Sequence, residues 1–209
     1  MKWHNVEQNS AEWDALRLGK ATGSNAPKFM ANFGKSFGDP AVRYALQVAL
    51  ERVNGRKAEH SFKNDDMDRG HEQEPIARAL YEEQFFVDVS NGGFFDHGDW
   101  GVSPDGLVNR DGVVEIKSVI ASVHRDTLRR GSFDPTYRWQ IVSHLDGTER
   151  DWVDFVSYCS DYPEHLQLVV YRTYRHEVEQ EIAMLRERRA AFLELVRAEQ
   201  SQLEMKEAA

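Results

Sequence analysis

A mixed α/β fold around one central sheet is what the sequence predicts, and three observations carry that expectation. Apolar residues keep helical spacing up to Gly55 and again from about Glu177 onward. Between Phe85 and Lys117 the period drops to two, with Gly and Asp clusters between short apolar runs. One helical stretch then separates this region from two further β-rich runs, the pattern of a crossover between strands of one sheet.

The elements follow in order. Ser10 is placed to cap a short helix carrying Trp13, Leu16 and Arg17, with Gly19 ending it. Thr22-Gly23-Ser24 opens a second helix with Phe29, Met30 and Phe33. Asp39-Pro40 reads as N-cap and first residue of a third, which Asn54-Gly55 stops. The polar stretch from Arg56 to Asp68 is expected to be a surface loop, and Ile76, Ala77, Leu80 and Tyr81 mark the next helix. A β-meander is expected from Phe85 to Lys117, a helix from Asp134-Pro135, strands over Trp152 to Cys159 and Leu166 to Tyr174, and a long helix over about Glu177 to Glu204. No linker or repeat interrupts the chain, so 1–209 is expected to be one domain: N-terminal helices over 1–55, a core over about 65–175 and a C-terminal helix over about 177–205.

Composition narrows the function. The 209 residues are 41% hydrophobic and 29% charged, the balance of a soluble globular chain with a sizeable core. No apolar run approaches the roughly 18–20 residues of a membrane span, and MKWHNVEQNS lacks the apolar stretch of a signal peptide, so a cytoplasmic protein without a membrane partner is expected. A single cysteine, Cys159, excludes a disulfide framework and a cysteine-built zinc or iron–sulfur site. A net charge of −9 argues against a uniformly basic nucleic-acid coat but leaves room for a local groove. Of the 26 basic residues 18 are Arg, the cation better suited to bidentate phosphate contact.

The densest chemical signal is Ser103-Pro104-Asp105-Gly106-Leu107 followed by Glu115-Ile116-Lys117. If Arg110-Asp111-Gly112 forms a three-residue loop with Gly112 left-handed, Asn109 faces Val113, Leu107 faces Glu115 and Asp105 faces Lys117. Alternation then places Asp105, Glu115 and Lys117 on one face, with Glu115 and Lys117 roughly 7 Å apart. Two carboxylates can bind one or two Mg²⁺ ions that polarise a phosphate and lower the pKa of a bound water, while Lys117 orients that water or stabilises developing charge. Glu115 and Lys117 alone would read as a surface ion pair; the upstream S-P-D-G reverses that reading.

These residues resemble the PD-(D/E)XK nuclease superfamily, and within it the lambda-exonuclease branch of YqaJ-like phage alkaline exonucleases. Trp13 to Ser24, WDALRLGKATGS, is similar to that branch's W-x-x-x-R-x-G-x-x-T-x-S signature. Gly70-His71-Glu72-Gln73-Glu74 resembles its G-x-x-x-E helix, Asp105 with Glu115-Ile116-Lys117 its catalytic hairpin, and Tyr137-Arg138-Trp139-Gln140 its closing Gln helix. The resemblance implies a restriction-endonuclease-like α/β fold with a central mixed β-sheet flanked by helices. It implies catalytic roles for Glu74, Asp105, Glu115, Lys117 and Gln140, and metal ligation by Asp105, Glu115, the Ile116 carbonyl and Glu74. Taken alone, Glu74 reads equally as a solvated residue ahead of Pro75 in a first helical turn, and Gln140 as a glutamine bonding a backbone carbonyl. His144 stands where related RecB-like nucleases often have Tyr, and its role is open.

Arg17, Thr22 and Ser24 form a basic and hydroxyl cluster at a helix start, where an anion is favoured. Ser24 alone could be a plain N-cap; with the resemblance, the cluster is expected to hold the 5′-phosphate of the DNA. His124, Arg125, Arg129, Arg130 and Arg138 make the most basic stretch, either tracking the duplex backbone or forming a solvated helix face. Trp100, Trp139 and Trp152 read as core or interface residues.

The resemblance implies a Mg²⁺-dependent 5′-to-3′ exonuclease on linear double-stranded DNA, with two ions and Mn²⁺ able to substitute. It would leave 3′ single-stranded tails, act as a homotrimer ring around DNA, and work beside a single-strand annealing protein. The rivals are a structure-specific or restriction-like endonuclease, which would cut closed circles, and a non-catalytic DNA-end-binding protein on the same fold.

Overall fold

The computed structural model describes residues 1–58 and 65–207. In chain order the elements are β1 (Lys2–His4), α1 (Ala11–Arg17), β2 (Ala21–Thr22), α2 (Ala26–Met30), α3 (Asp39–Asn54), α4 (Asp65–Phe85), β3 (Val89–Asn91), β4 (Phe94–Asp96), β5 (Trp100–Val102), β6 (Gly106–Val108), β7 (Gly112–Ser118), α5 (Ala121–Arg130), α6 (Arg138–Thr148), β8 (Trp152–Tyr158), β9 (Leu168–Tyr174) and α7 (Glu179–Glu207). Short 3₁₀ turns precede α2, α6, β9 and α7.

The main sheet runs β3-β6-β7-β8-β9. β6–β7 and β8–β9 are antiparallel, whereas β7 and β8 are parallel because α5 and α6 carry the chain back across the sheet. Alternation along the strands sorts the two faces. Leu107, Val113, Val153 and Phe155 pack toward α3, α6 and α7, while Val108, Val114, Ile116, Val156 and Tyr158 pack toward Ala77 and Tyr81 of α4.

Strands expected in one meander divide between two sheets. β4 and β5 pair with the chain's own N-terminal strands in the order β1-β4-β5-β2, leaving β3, β6 and β7 to the main sheet. β1 and β2 have three and two residues, too short for periodicity to reveal them. Ser10 caps α1 as expected, its side chain accepting from the Trp13 N–H. Gly55 closes α3 in the left-handed conformation. Of the expected loop over 56–68, residues 59–64 lie outside the described residues, and α4 has already begun at Asp65. Pro75 therefore lies inside a helix and not in its first turn. Most of the basic stretch forms α5, a ten-residue helix that Gly131 terminates at φ 67°.

Among the described residues no helix is long and apolar enough to cross a membrane.

Candidate active site

The β6–β7 hairpin sets the site, in a register two residues from the one expected. Val108 faces Gly112, Leu107 faces Val113 and Gly106 faces Val114. The loop is Asn109-Arg110-Asp111, and its left-handed residue is Asn109 at φ 50°, not Gly112. Gly112 serves another purpose: a Cβ there would lie 2.1 Å from the Trp152 ring. A slip of two residues preserves the face of every side chain, so Asp105, Glu115 and Lys117 still gather on one side.

Glu115 is the best-enclosed of the three, 1% exposed in the heart of the sheet. Its Oε1 accepts from Lys117 Nζ and, at 2.5 Å, from Gln140 Nε2; its Oε2 lies 2.7 Å from His144 Nε2. Gln140 and His144 are one turn apart on α6, so the same helix face engages both oxygens. Burial alone would push the Glu115 carboxyl up, but Lys117 and His144 hold it down at about 2. Lys117 is pushed down by burial and drawn further up by Glu115 and Asp105, so it is an ammonium at any working pH. Its Nζ also stands 5.8 Å from the Tyr137 ring centre.

Asp105 sits half-buried at the cleft. Its Oδ2 accepts from the Ile116 N–H at 2.6 Å, tying the two strands where they diverge. Burial, reinforced by the negative charges of Glu115 and Glu74, raises its carboxyl well above the ordinary value. Glu74 arrives from α4 on the opposite face of the sheet and shares with Asp105 a cleft of about 780 Å³.

Gln8 was not among the residues singled out by sequence. Its Nε2 donates to the Pro104 carbonyl at 2.9 Å and to Asp105 Oδ1 at 3.3 Å. It lies on the irregular segment between β1 and α1, and a lone glutamine in such a segment carries no sequence signal.

Arg17 and Thr22 line a second cavity of about 220 Å³ with Lys20, Asn25 and Lys57. Burial lowers the Arg17 guanidinium to about 10, so it keeps its charge at neutral pH. It stacks 3.7 Å over the Trp13 ring, and Trp13 Nε1 donates to Ser103 Oγ at 2.6 Å, two residues before Asp105. Ser24 caps no helix: it sits in the 3₁₀ turn Gly23–Asn25, exposed, with its Oγ 3.5 Å from Thr22 Oγ1. The cluster is thus built from side chains, not from a helix terminus.

The basic stretch is less uniform than its sequence. His124 is buried between Ser157 and the Leu166 carbonyl, away from any surface. Arg125 pairs with Asp126, Arg130 with Asp134 and Arg138 with Glu181; Arg129 is exposed with no acid partner among the described residues. Trp152 is buried, and Trp100 and Trp139 pack against the core.

Comparison with known proteins places the fold and the family. Residues 12–151 match the YqaJ-like viral recombinase domain family. The structure is similar to that of the alkaline exonuclease LHK-Exo from Laribacter hongkongensis, both alone and in complex with dAMP, with 33% identity, a TM-score of 0.86, and 95% of this chain and 98% of that one covered. A phage related exonuclease from Haemophilus somnus 129PT shares the fold at 17% identity and a TM-score of 0.67, over 92% of this chain and 99% of that one. No curated protein matches. With its Asp105, Glu115 and Lys117 gathered on the diverging hairpin of a PD-(D/E)XK fold, the chain belongs to the YqaJ-like viral recombinase domain family and is a DNA nuclease.

Proposed function

We propose that the protein is a Mg²⁺-dependent exonuclease that degrades the 5′-ended strand of linear double-stranded DNA, leaving 3′ single-stranded tails for annealing-driven recombination. The observation that carries this reading is the oxygen-rich cleft where Asp105 and Glu74 meet beside the Lys117–Glu115 pair.

The residues fit a divalent cation chemically, although no three His, Cys, Asp or Glu side chains converge as a ready cage among the described residues. Asp105 is a carboxyl whose ionised form burial, Glu115 and Glu74 all penalise, and a hard cation is what relieves such a cluster. Asp105, Glu115, the Ile116 carbonyl and Glu74 would hold it, with two Mg²⁺ ions the expected number and Mn²⁺ able to substitute. When bound, the metal would polarise the scissile phosphate and acidify a water. The chain's own residues do the rest. Lys117, fixed by Glu115, places a positive charge where charge develops on the phosphate. Gln140 holds the Glu115 carboxylate by donating to its Oε1.

Polarity rests on Arg17, Thr22 and Ser24 as the seat of a 5′-phosphate, supported by the retained charge of Arg17 in its cavity. The dAMP bound to LHK-Exo is a deoxynucleoside monophosphate, the product class expected of stepwise DNA hydrolysis. A homotrimer ring around the duplex and an annealing-protein partner complete the proposal on the family resemblance. Digestion of three Mg²⁺-containing substrates tests it: linear duplex with 5′-phosphate, the same duplex with 5′-hydroxyl, and closed circular plasmid. Loss of the phosphorylated duplex alone, slowed about 10²–10⁴-fold by Lys117→Ala, is the expected result. Cutting of the circle would establish an endonuclease instead, and binding without cleavage a DNA-end-binding protein.

A further inference from the structure

Both nitrogens of a buried imidazole normally find partners, and His144 departs from that rule in an informative way. The residue is 1% exposed on α6, between the wholly buried Val142 and Leu145. Its Nδ1 is buried with no hydrogen-bond partner among the described residues, while its Nε2 lies 2.7 Å from Glu115 Oε2. An apolar side chain would fill this place without stranding Nδ1, so the Glu115 contact is what the imidazole contributes.

That contact can be counted. A carboxylate offers about four acceptor positions, two on each oxygen. Lys117 and Gln140 occupy Oε1, and His144 occupies one position on Oε2. A single position is left, and it is on Oε2. We infer that His144 is a positioning residue for Glu115: its Nε2–H fixes Oε2 so that the one unused lone pair is presented to the metal-binding side of the cleft. This rests on the metal-dependent reading above and extends it to a residue outside the catalytic motif. Gln140 cannot substitute, because it donates to the other oxygen.

The test uses Mn²⁺ titrated calorimetrically into the protein without DNA, alongside kcat and KM on 5′-phosphorylated linear duplex, for wild type, Asp105→Asn and three variants of His144. His144→Gln keeps a donor at the reach of Nε2; His144→Asn is polar but too short; His144→Leu fills the space without a donor. The expected result is a loss of Mn²⁺ affinity and kcat of about 10–100-fold for Asn and Leu, an unchanged KM, and recovery to within about threefold of wild type for Gln. Equal behaviour of Asn and Gln, or wild-type Mn²⁺ affinity and kcat in Leu, would overturn the inference and leave the metal-dependent reading standing. If Leu fails to fold, the Asn and Gln comparison alone decides. Wild-type protein that binds no Mn²⁺ and cleaves without a divalent cation would overturn both.

Discussion

Asp105 is where chemistry and stability pull apart. Its folded-state carboxyl is raised by burial and by Glu115 and Glu74, so the folded chain favours the protonated form more than the unfolded chain does. Stability from this group is therefore fully present below the unfolded value of about 3.9 and is lost as pH rises through the folded value. Asp105→Asn, which keeps an acceptor for the Ile116 N–H, should raise the melting temperature at neutral pH, by about 2–4 °C for each kcal/mol of repulsion removed, while abolishing cleavage. Thermal scans should show the gain shrinking toward pH 4, and a gain independent of pH would refute the electrostatic cause. Glu115 has the opposite sign. Its carboxyl is held at about 2, so its contribution is present above the unfolded value and lost as pH falls toward 2. Asp105, Glu115 and Lys117 could be read from sequence because alternation along the two strands keeps them on one face under any even slip of the hairpin register, and the slip was two residues. Gln8 and the Glu115 contact of His144 could not, since both depend on tertiary placement of segments distant in the chain.

At the scale of elements, the hairpin shows what pattern can and cannot supply. Turn chemistry favoured Gly112 as the left-handed residue, yet packing by Trp152 claimed that glycine and Asn109 took the strained position. Gly112→Ala should therefore destabilise the chain by about 1–3 kcal/mol in urea titrations, through overpacking against Trp152. A neutral effect would mean that the indole moves freely. Likewise the β1–α1 segment enters the site through Gln8, so Gln8→Leu should lower kcat about tenfold with little change in the urea midpoint. Unchanged kcat would reduce Gln8 to a tether for Pro104. The long amphipathic helices were legible because periodicity over many residues is a strong signal. The division into two sheets was not, because β1 and β2 are too short to carry a period.

For the whole molecule, the question is how a chain of net charge −9 engages DNA. Most arginines of the α5–α6 region already hold carboxylates: Arg125, Arg130 and Arg138 each pair with an acid, leaving Arg129 exposed. Arg129→Ala should weaken duplex binding and reduce the slope of log affinity against log salt by about 1, with a smaller change for Arg125→Ala. Equal slopes would place the duplex elsewhere on the surface.

Directional hydrolysis from a 5′-phosphorylated end can be followed on linear duplex labelled at the 5′ end in one sample and at the 3′ end in another, with Mg²⁺ and brief digestion. The 5′ label should leave at once as a mononucleotide while the 3′ label stays on a long strand. Early release of the 3′ label, or internal fragments from either sample, would contradict directional hydrolysis.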